Sequence, residues 1–321
     1  MLPITPDAVR AAHERIRSWI RHTPLLAGTT GDAAFGAGEV IFKLELFQHA
    51  GSFKTRGAMN HLLSRTVPAA GVAAASGGNH GVAVAFAARR LGHSARVFVP
   101  EISSPVKIGA IRAQGADVVV GGARYADAQA ACDHYASTTG ALLIHPFDAP
   151  ETIEATGTVA LEWDADIDRL ALRPLDTVLV ASGGGGLVAG IACFWSGRVK
   201  VIAVEPEGSR CLHAALEAGR PVDVAVESIA ADSLGAKRAG DLVFAIAKEK
   251  VARVVLVPDA AIVSAQRLLW AEYRIAAEPG GAAALAALVS GRYRPSPGER
   301  VGILVCGGNV DPRTLATPPA A

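Results

Sequence analysis

The chain is poor in cysteine. Its four, Cys132, Cys193, Cys211 and Cys306, stand far apart in 321 residues. No CxxC pair or metal-ligand spacing occurs, so a thiolate metal site is not expected, and such sparse use fits a reducing cytosol. A charge surplus is missing too: 31 Lys and Arg against 30 Asp and Glu leave a formal net charge of +1. Nucleic-acid binders usually carry a basic excess, which disfavours that class. Blocks of like charge are absent, which leaves no acidic or basic tail. The opening MLPITPDAVRAAHERIRSWI reads as an amphipathic helix. It lacks the basic start, apolar run and small-residue cleavage site of a secretory leader. Between Thr177 and Gly197 no residue is charged, and a hydropathy scan flags such a run as membrane-spanning. Four consecutive glycines interrupt it, so a buried strand, turn and helix is the better reading. Fixed-period repeats and low-complexity linkers are also lacking. A cytoplasmic protein with neither membrane nor nucleic-acid partner is expected.

What the chain does have is alternation. Short apolar runs predict strands at Val40–Leu44, Val72–Ala75, Ala95–Val99, Asp117–Val120, Leu142–Ile144, Thr177–Ala181, Val199–Val204, Ala252–Val257 and Val301–Cys306. Helical patterns lie between them at Gly81–Leu91, Pro105–Gln114, Tyr125–Ser137, Pro150–Trp163, Leu187–Phe194 and Asp259–Arg274. Continuous apolar strands alternating with helices indicate an α/β fold of parallel sheets covered on both faces. The Pro/Gly-rich pieces at Arg292–Gly298 and Thr317–Ala321 are read as a loop and a frayed end.

Three of the predicted strands run into glycine. Val72–Ala75 leads to Ser76-Gly77-Gly78-Asn79-His80, Thr177–Ala181 to Ser182-Gly183-Gly184-Gly185-Gly186, and Val301–Val305 to Cys306-Gly307-Gly308-Asn309. Open parallel sheets bind ligands beyond the carboxyl ends of their strands, so three such turns imply one ligand approached by backbone from several sides. At Gly183–Gly186 the free amides of the helix start near Leu187 make an anion site. Glycine lets that backbone approach a phosphate. A dinucleotide fingerprint is the minority reading: the spacing is not a clean GxGxxG, although Glu205 lies at about the distance of a ribose contact. In Gly51-Ser52-Phe53-Lys54-Thr55-Arg56-Gly57-Ala58, Ser52 is a plausible N-cap for a helix reaching Leu63. Lys54 then falls in the first turn, where the helix dipole disfavours a cation. A lysine that is hard to protonate is what imine formation with an aldehyde requires, and Phe53 offers a surface for a flat ring. The Ser76–Gly81 turn repeats the anion logic for a carboxylate, with Asn79 able to offer an amide to a phenolic oxygen. His80 reads as well as a satisfied helix-start histidine. Cys306 at a pyridine nitrogen would be a weak, neutral partner; an Asp there would hold the ring protonated.

Together these motifs resemble the fold-type II pyridoxal-phosphate family, specifically the short threonine/serine dehydratases and serine racemases. The resemblance runs from His22-Thr23-Pro24-Leu25 to Asn309-Val310-Asp311 and includes His145-Pro146-Phe147-Asp148 and Ala277-Glu278-Pro279-Gly280-Gly281. It implies a tryptophan synthase β-like fold of two three-layer α/β domains with mostly parallel sheets. The large cofactor-binding domain is expected from 1–71 plus 147–321 and a small mobile one from 72–146. It implies pyridoxal 5'-phosphate as cofactor, with Lys54 as the Schiff-base and catalytic lysine. Phe53, Asn79, Gly183, Gly184, Gly185, Gly186, Leu187, Glu278 and Cys306 are its expected cofactor contacts, and Ser76, Gly77, Gly78, Asn79 and His80 the substrate-binding loop. The implied reaction removes water from a hydroxy amino acid to give a 2-oxo acid and ammonia, in a homodimer. With nothing following the last strand, the allosteric extension of biosynthetic threonine dehydratases is not expected.

Two departures shape that expectation. Racemases carry a second serine where this chain has Gly77, so inversion at Cα lacks its second proton carrier. Some members hold a divalent cation through a Glu, a backbone carbonyl and an Asp. Glu205 and Ser209 match the first two positions and Cys211 replaces the Asp, while hard cations want oxygen, so no metal is expected. Alternatives left open are a racemase, a synthase that adds a nucleophile, and a cofactor-binding protein without turnover. The substrate is equally open among serine, threonine, 3-hydroxyaspartate and phenylserine, with Phe147 and Tyr125 as expected pocket-lining positions.

Overall fold

The alternating pattern folds into two sheets. The computed structural model describes residues 4–28, 38–103 and 105–315; the segment Thr317–Ala321 lies outside them. The strands are β1 (Leu25–Ala27), β2 (Glu39–Lys43), β3 (Val72–Ala75), β4 (Ala95–Val99), β5 (Asp117–Val120), β6 (Leu142–Leu143), β7 (Thr177–Ala181), β8 (Lys200–Pro206), β9 (Arg253–Val257) and β10 (Arg300–Leu304). The helices are α1 (Pro6–Ile16), α2 (Lys54–Ser64), α3 (Asn79–Arg90), α4 (Pro105–Ala113), α5 (Tyr125–Thr139), α6 (Pro150–Arg169), α7 (Gly186–Trp195), α8 (Cys211–Ala218), α9 (Ala231–Leu234), α10 (Asp241–Lys250), α11 (Asp259–Tyr273) and α12 (Pro279–Val289).

One sheet has six strands in the order β1-β2-β10-β7-β8-β9, the other four in the order β5-β4-β3-β6. Every pairing is parallel except that of β1 with β2. In the large sheet β8 and β9 lie to one side of β7, and β10 and β2 to the other. In the small sheet β4 and β5 lie to one side of β3, and β6 to the other. Both central strands therefore stand where the connection reverses direction, the place at which parallel sheets open a crevice. All five residues of β7 and all four of β3 are buried, as expected of strands covered on both faces.

The uncharged run Thr177–Gly197 is β7, its turn and α7, and no described helix is long and apolar enough to cross a membrane. The large core packs Trp163 of α6 against Trp195 of α7, ring centroids 6.0 Å apart. A buried ion network then ties α2 to this body. Arg56 donates to Glu45 at 2.8 and 2.9 Å and to Glu162 at 2.7 and 2.8 Å. Lys43 on β2 donates to Asp166 of α6 at 3.2 Å and to the Thr23 carbonyl at 2.7 Å. Removing one partner from such a cluster leaves uncompensated buried charge, a loss of about 3–5 kcal/mol. Its consequence is positional: the helix that begins at Lys54 cannot shift or rotate without breaking the pairs made by Arg56.

Candidate active site

The turn before α2 is stitched to the end of β10. Phe53 N donates to the Cys306 carbonyl at 3.1 Å, Gly308 N to the Gly51 carbonyl at 2.9 Å, and Ser52 bridges Gly307. This pairing corrects the expected cap. Ser52 is extended, α2 follows Phe53 without any side-chain cap, and the buried Ser52 hydroxyl makes no hydrogen bond. The N-cap position falls on Phe53, one residue beyond the bridged Ser52.

Lys54 lines a small, partly open cavity. Phe53, Lys54, Asn79, Phe147, Gly183, Gly184, Gly185, Gly186, Leu187, Glu278 and Cys306 all line it, together with Ala181, Ser233 and Leu234. Every residue expected to contact the cofactor is thus brought to one cavity. The Lys54 amine donates to the Pro146 carbonyl at 2.7 Å and lies 5.2 Å from the centroid of the Phe53 ring. Burial pulls its pKa from 10.5 down to about 8. The direction is the one the sequence suggested, but the leading cause is lost hydration rather than the helix dipole.

The turn after β7 reaches α7 through Gly183–Gly186. Gly185 has φ +87°, a left-handed conformation that L side chains avoid,. A Cβ on Gly184 would lie 2.4 Å from the Phe147 ring. Among the described residues no hydrogen bond occupies the amides of Gly183, Gly184 or Gly185. Those amides, together with the helix start, form a cradle for an anion. Glu205 is not available to a ribose: its carboxylate accepts from Leu212 N at 2.9 Å and His213 N at 2.8 Å at the start of α8. Cys211 donates to the Gly183 carbonyl at 3.2 Å and Ser209 to the Leu234 carbonyl at 2.7 Å. Cys211 lies beside Glu205 but offers a thiol, which burial keeps protonated, where a hard cation wants oxygen,, and no cluster of metal-ligating residues occurs among the described residues.

Cys306 is buried, its thiol donating to the Gly280 carbonyl at 3.4 Å. Burial raises its pKa far above the ordinary thiol value, so it is neutral. The amide of Asn79 donates to Glu278 and its carbonyl accepts from Asn309 Nδ2 at 2.7 Å. Burial lifts Glu278 to about 7. The Ser76–His80 loop follows β3 and opens α3. Ser76, Gly77 and Gly78 are partly exposed; Asn79 and His80 are buried. His80 hydrogen-bonds the Ile144 carbonyl at 2.9 Å, and burial lowers its pKa to about 3, which makes it a neutral, satisfied histidine. Tyr125 does not line the cavity. It is exposed at the start of α5, with its hydroxyl on Gln129.

Sequence reasoning gave no role to Pro146, Ser233, Leu234 or Asn309. Asn309 stood in a quoted glycine motif. The others act through a carbonyl or through a four-residue helix, features without a periodic signal.

These residues suit a phosphorylated aldehyde on an aromatic ring: an amine held near neutrality, an amide cradle and a neutral thiol. The comparisons agree. Residues 16–307 match the family described as "Pyridoxal-phosphate dependent enzyme", and the chain belongs to that family. Its cofactor is pyridoxal 5'-phosphate. The chain is 38% identical to phenylserine dehydratase of Ralstonia pickettii, over 97% of this chain and 95% of that one. It is 37% identical to L-threonine ammonia-lyase of Geobacter sulfurreducens, over 98% and 78%. The structure of maize serine racemase superposes with a TM-score of 0.90 at 33% identity, covering 97% of this chain and 95% of that one. The α/β, fold-type II architecture expected from the sequence is the one observed.

Proposed function

We propose that the protein is a hydroxy-amino-acid dehydratase, converting a β-hydroxy amino acid to a 2-oxo acid, ammonia and no other product. The observation that carries this reading is the convergence on one cavity of the Lys54 amine, backbone amides without partners in the chain, and a neutral thiol. When bound, pyridoxal phosphate supplies an aldehyde that captures amines and a ring that draws electron density from the substrate Cα. With that cofactor bound, Lys54 would hold it covalently, Phe53 would pack beside it, and the Gly183–Leu187 amides would hold its phosphate. Asn79, braced by Glu278 and Asn309, would serve its phenolic oxygen. The protonated Cys306 thiol would add no charge at its ring nitrogen, which favours elimination over transamination.

The substrate carboxylate rests on the amides of the Ser76–His80 loop. Once free, the Lys54 amine takes the Cα proton; its lowered pKa leaves about a tenth of it unprotonated at pH 7, far more than an ordinary lysine,. The β-hydroxyl leaves as water, and the released product hydrolyses to the 2-oxo acid. Gly77 places no titratable group on this loop, and this favours a lyase over a racemase. The names of the relatives support phenylserine, threonine and serine as the substrates to try first. Incubating the holoprotein with this panel and measuring 2-oxo acid against D-amino acid tests the reading. Formation of D-serine without pyruvate overturns it in favour of a racemase.

We further assign a homodimer in the cytoplasm, with residues 72–146 moving as a small domain against 1–71 plus 147–321. Four buried, unpaired cysteines support a reducing compartment,. The four-stranded sheet, whose strands all come from 72–143, supports the division. Light scattering tests the dimer: a mass near 32.9 kDa rejects it.

A further inference from the structure

The substrate loop has a neighbour that the reaction scheme does not use. A Cβ built on Gly77 would lie 2.3 Å from the Ser103 hydroxyl oxygen and 3.1 Å from its Cβ. Ser103 therefore occupies the space into which a side chain at position 77 would project. It comes from a different element, the turn between β4 and α4, held by Ser103 N on the Pro100 carbonyl at 3.0 Å and Glu101 N on the Gly122 carbonyl at 2.9 Å. Across the loop, a Cβ on Gly78 would meet the Asp232 carbonyl at 2.8 Å. An ion pair between Lys107 of α4 and Asp232 of α9 links the two flanks. The loop is thus clasped, with a hydroxyl on one side.

Ordinary duties do not account for that hydroxyl. The Ser103 side chain makes no hydrogen bond among the described residues. It is partly buried and adjacent to the loop amides, where a donor has an anion to serve.

We propose that Ser103 is a substrate-binding residue, whose hydroxyl donates to the carboxylate of the amino acid held on the Ser76–His80 loop. Position 77 is glycine because Ser103 fills its side-chain space. This rests on the reading that the loop holds a substrate carboxylate. It assigns specificity for free amino acids partly to a residue outside the glycine motif.

The test uses L-alanine, which binds as an amino acid but has no β-leaving group, so it does not depend on dehydratase turnover. In the holoprotein, titration followed by the change in cofactor absorbance gives its dissociation constant. Ser103→Ala is expected to weaken L-alanine on the order of tenfold, the scale of one hydrogen bond to a charged group. L-alaninamide, which lacks the carboxylate, is expected to bind both proteins alike. In cofactor-free protein, Gly77→Ala is expected to lower the unfolding temperature, and Ser103→Gly in the same chain to restore it. Unchanged L-alanine affinity in Ser103→Ala overturns the assignment, as does an equal loss with L-alaninamide or a wild-type holoprotein that does not respond to L-alanine. Failure of the dehydratase reading looks different: no 2-oxo acid from any hydroxy amino acid, with the Ser103 effect on L-alanine intact.

Discussion

Two turns in this molecule are built to one plan and end up different. Each follows the central strand of a parallel sheet, β7 or β3, at the point where strand order reverses, and each opens a helix through glycine. The β7 turn is sealed. Gly184, Gly185 and Gly186 are buried among Phe147, Leu212 and Val243, with the Cys211 thiol on its carbonyl side. The β3 turn is open. Ser76, Gly77 and Gly78 are partly exposed, and polar groups from α4 and α9 stand around it. A glycine turn buried in apolar surroundings suits an anion that stays, and one left accessible suits an anion that exchanges each turnover. Lys54 lines the cavity that both turns reach, the β7 turn through Gly183–Gly186 and the β3 turn through Asn79.

Substitutions can pull the two turns apart. The largest effect is expected from Lys54→Ala, which belongs to neither: turnover falls roughly 10³-fold, the scale of a lost general base. Pyridoxal phosphate should still bind, noncovalently, through the β7 turn, as equilibrium dialysis would report. Gly184→Ala puts a Cβ 2.4 Å from the Phe147 ring and distorts the sealed turn. Loss of even one charge-assisted bond to phosphate weakens cofactor binding by about tenfold or more, with KM at saturating cofactor little changed. Gly78→Ala, whose Cβ would meet the Asp232 carbonyl at 2.8 Å, should do the reverse. A rise of roughly fivefold in KM for the amino acid is expected, with cofactor affinity retained. An equal effect of both glycine variants on both quantities would show that the turns do not divide the work.

The smallest effect is that of pH on cofactor capture. Burial lowers the Lys54 pKa from 10.5 to about 8, so its reactive neutral form increases as pH rises toward 8 and then levels off. Reconstitution of cofactor-free protein should speed up about fivefold between pH 7 and 8 and little beyond,. The sign for stability follows. The folded, cofactor-free chain disfavours the ammonium, so that burden is present below about 8 and fades as pH climbs from there to 10.5,. A capture rate still climbing steeply above pH 9 would mean that the amine is more hydrated than the cavity implies.

The two turns were legible in the sequence because both need glycine where backbone must approach a ligand, and because the strands before them are continuously apolar. Strand ends such as those of β3, β4, β5 and β7 agree to the residue. The edge strand β1, three residues long, gave too short a signal. α12 gave no periodic signal, because its Gly, Ala and Leu run is buried almost throughout and has no polar face to set a period,. The Ser52 cap failed because Ser52 is taken up in pairing with Gly307 and the helix starts one residue later, with Phe53 at its N-cap. The fall in the Lys54 pKa was anticipated from its place in a helix, whereas the hydration it loses is displaced by groups as distant in sequence as Pro146 and Cys306. Ser103 illustrates the limit. Nothing in its own neighbourhood points to Gly77, and only the pairing of β3 with β4 brings them together.

The most direct measurement is reduction of the reconstituted protein with borohydride, followed by peptide mapping by mass spectrometry. One phosphopyridoxyl group per chain is expected, on the peptide that carries Lys54. The same group on any of Lys43, Lys107, Lys200, Lys237, Lys248 or Lys250, or on no lysine of a folded sample, would contradict it.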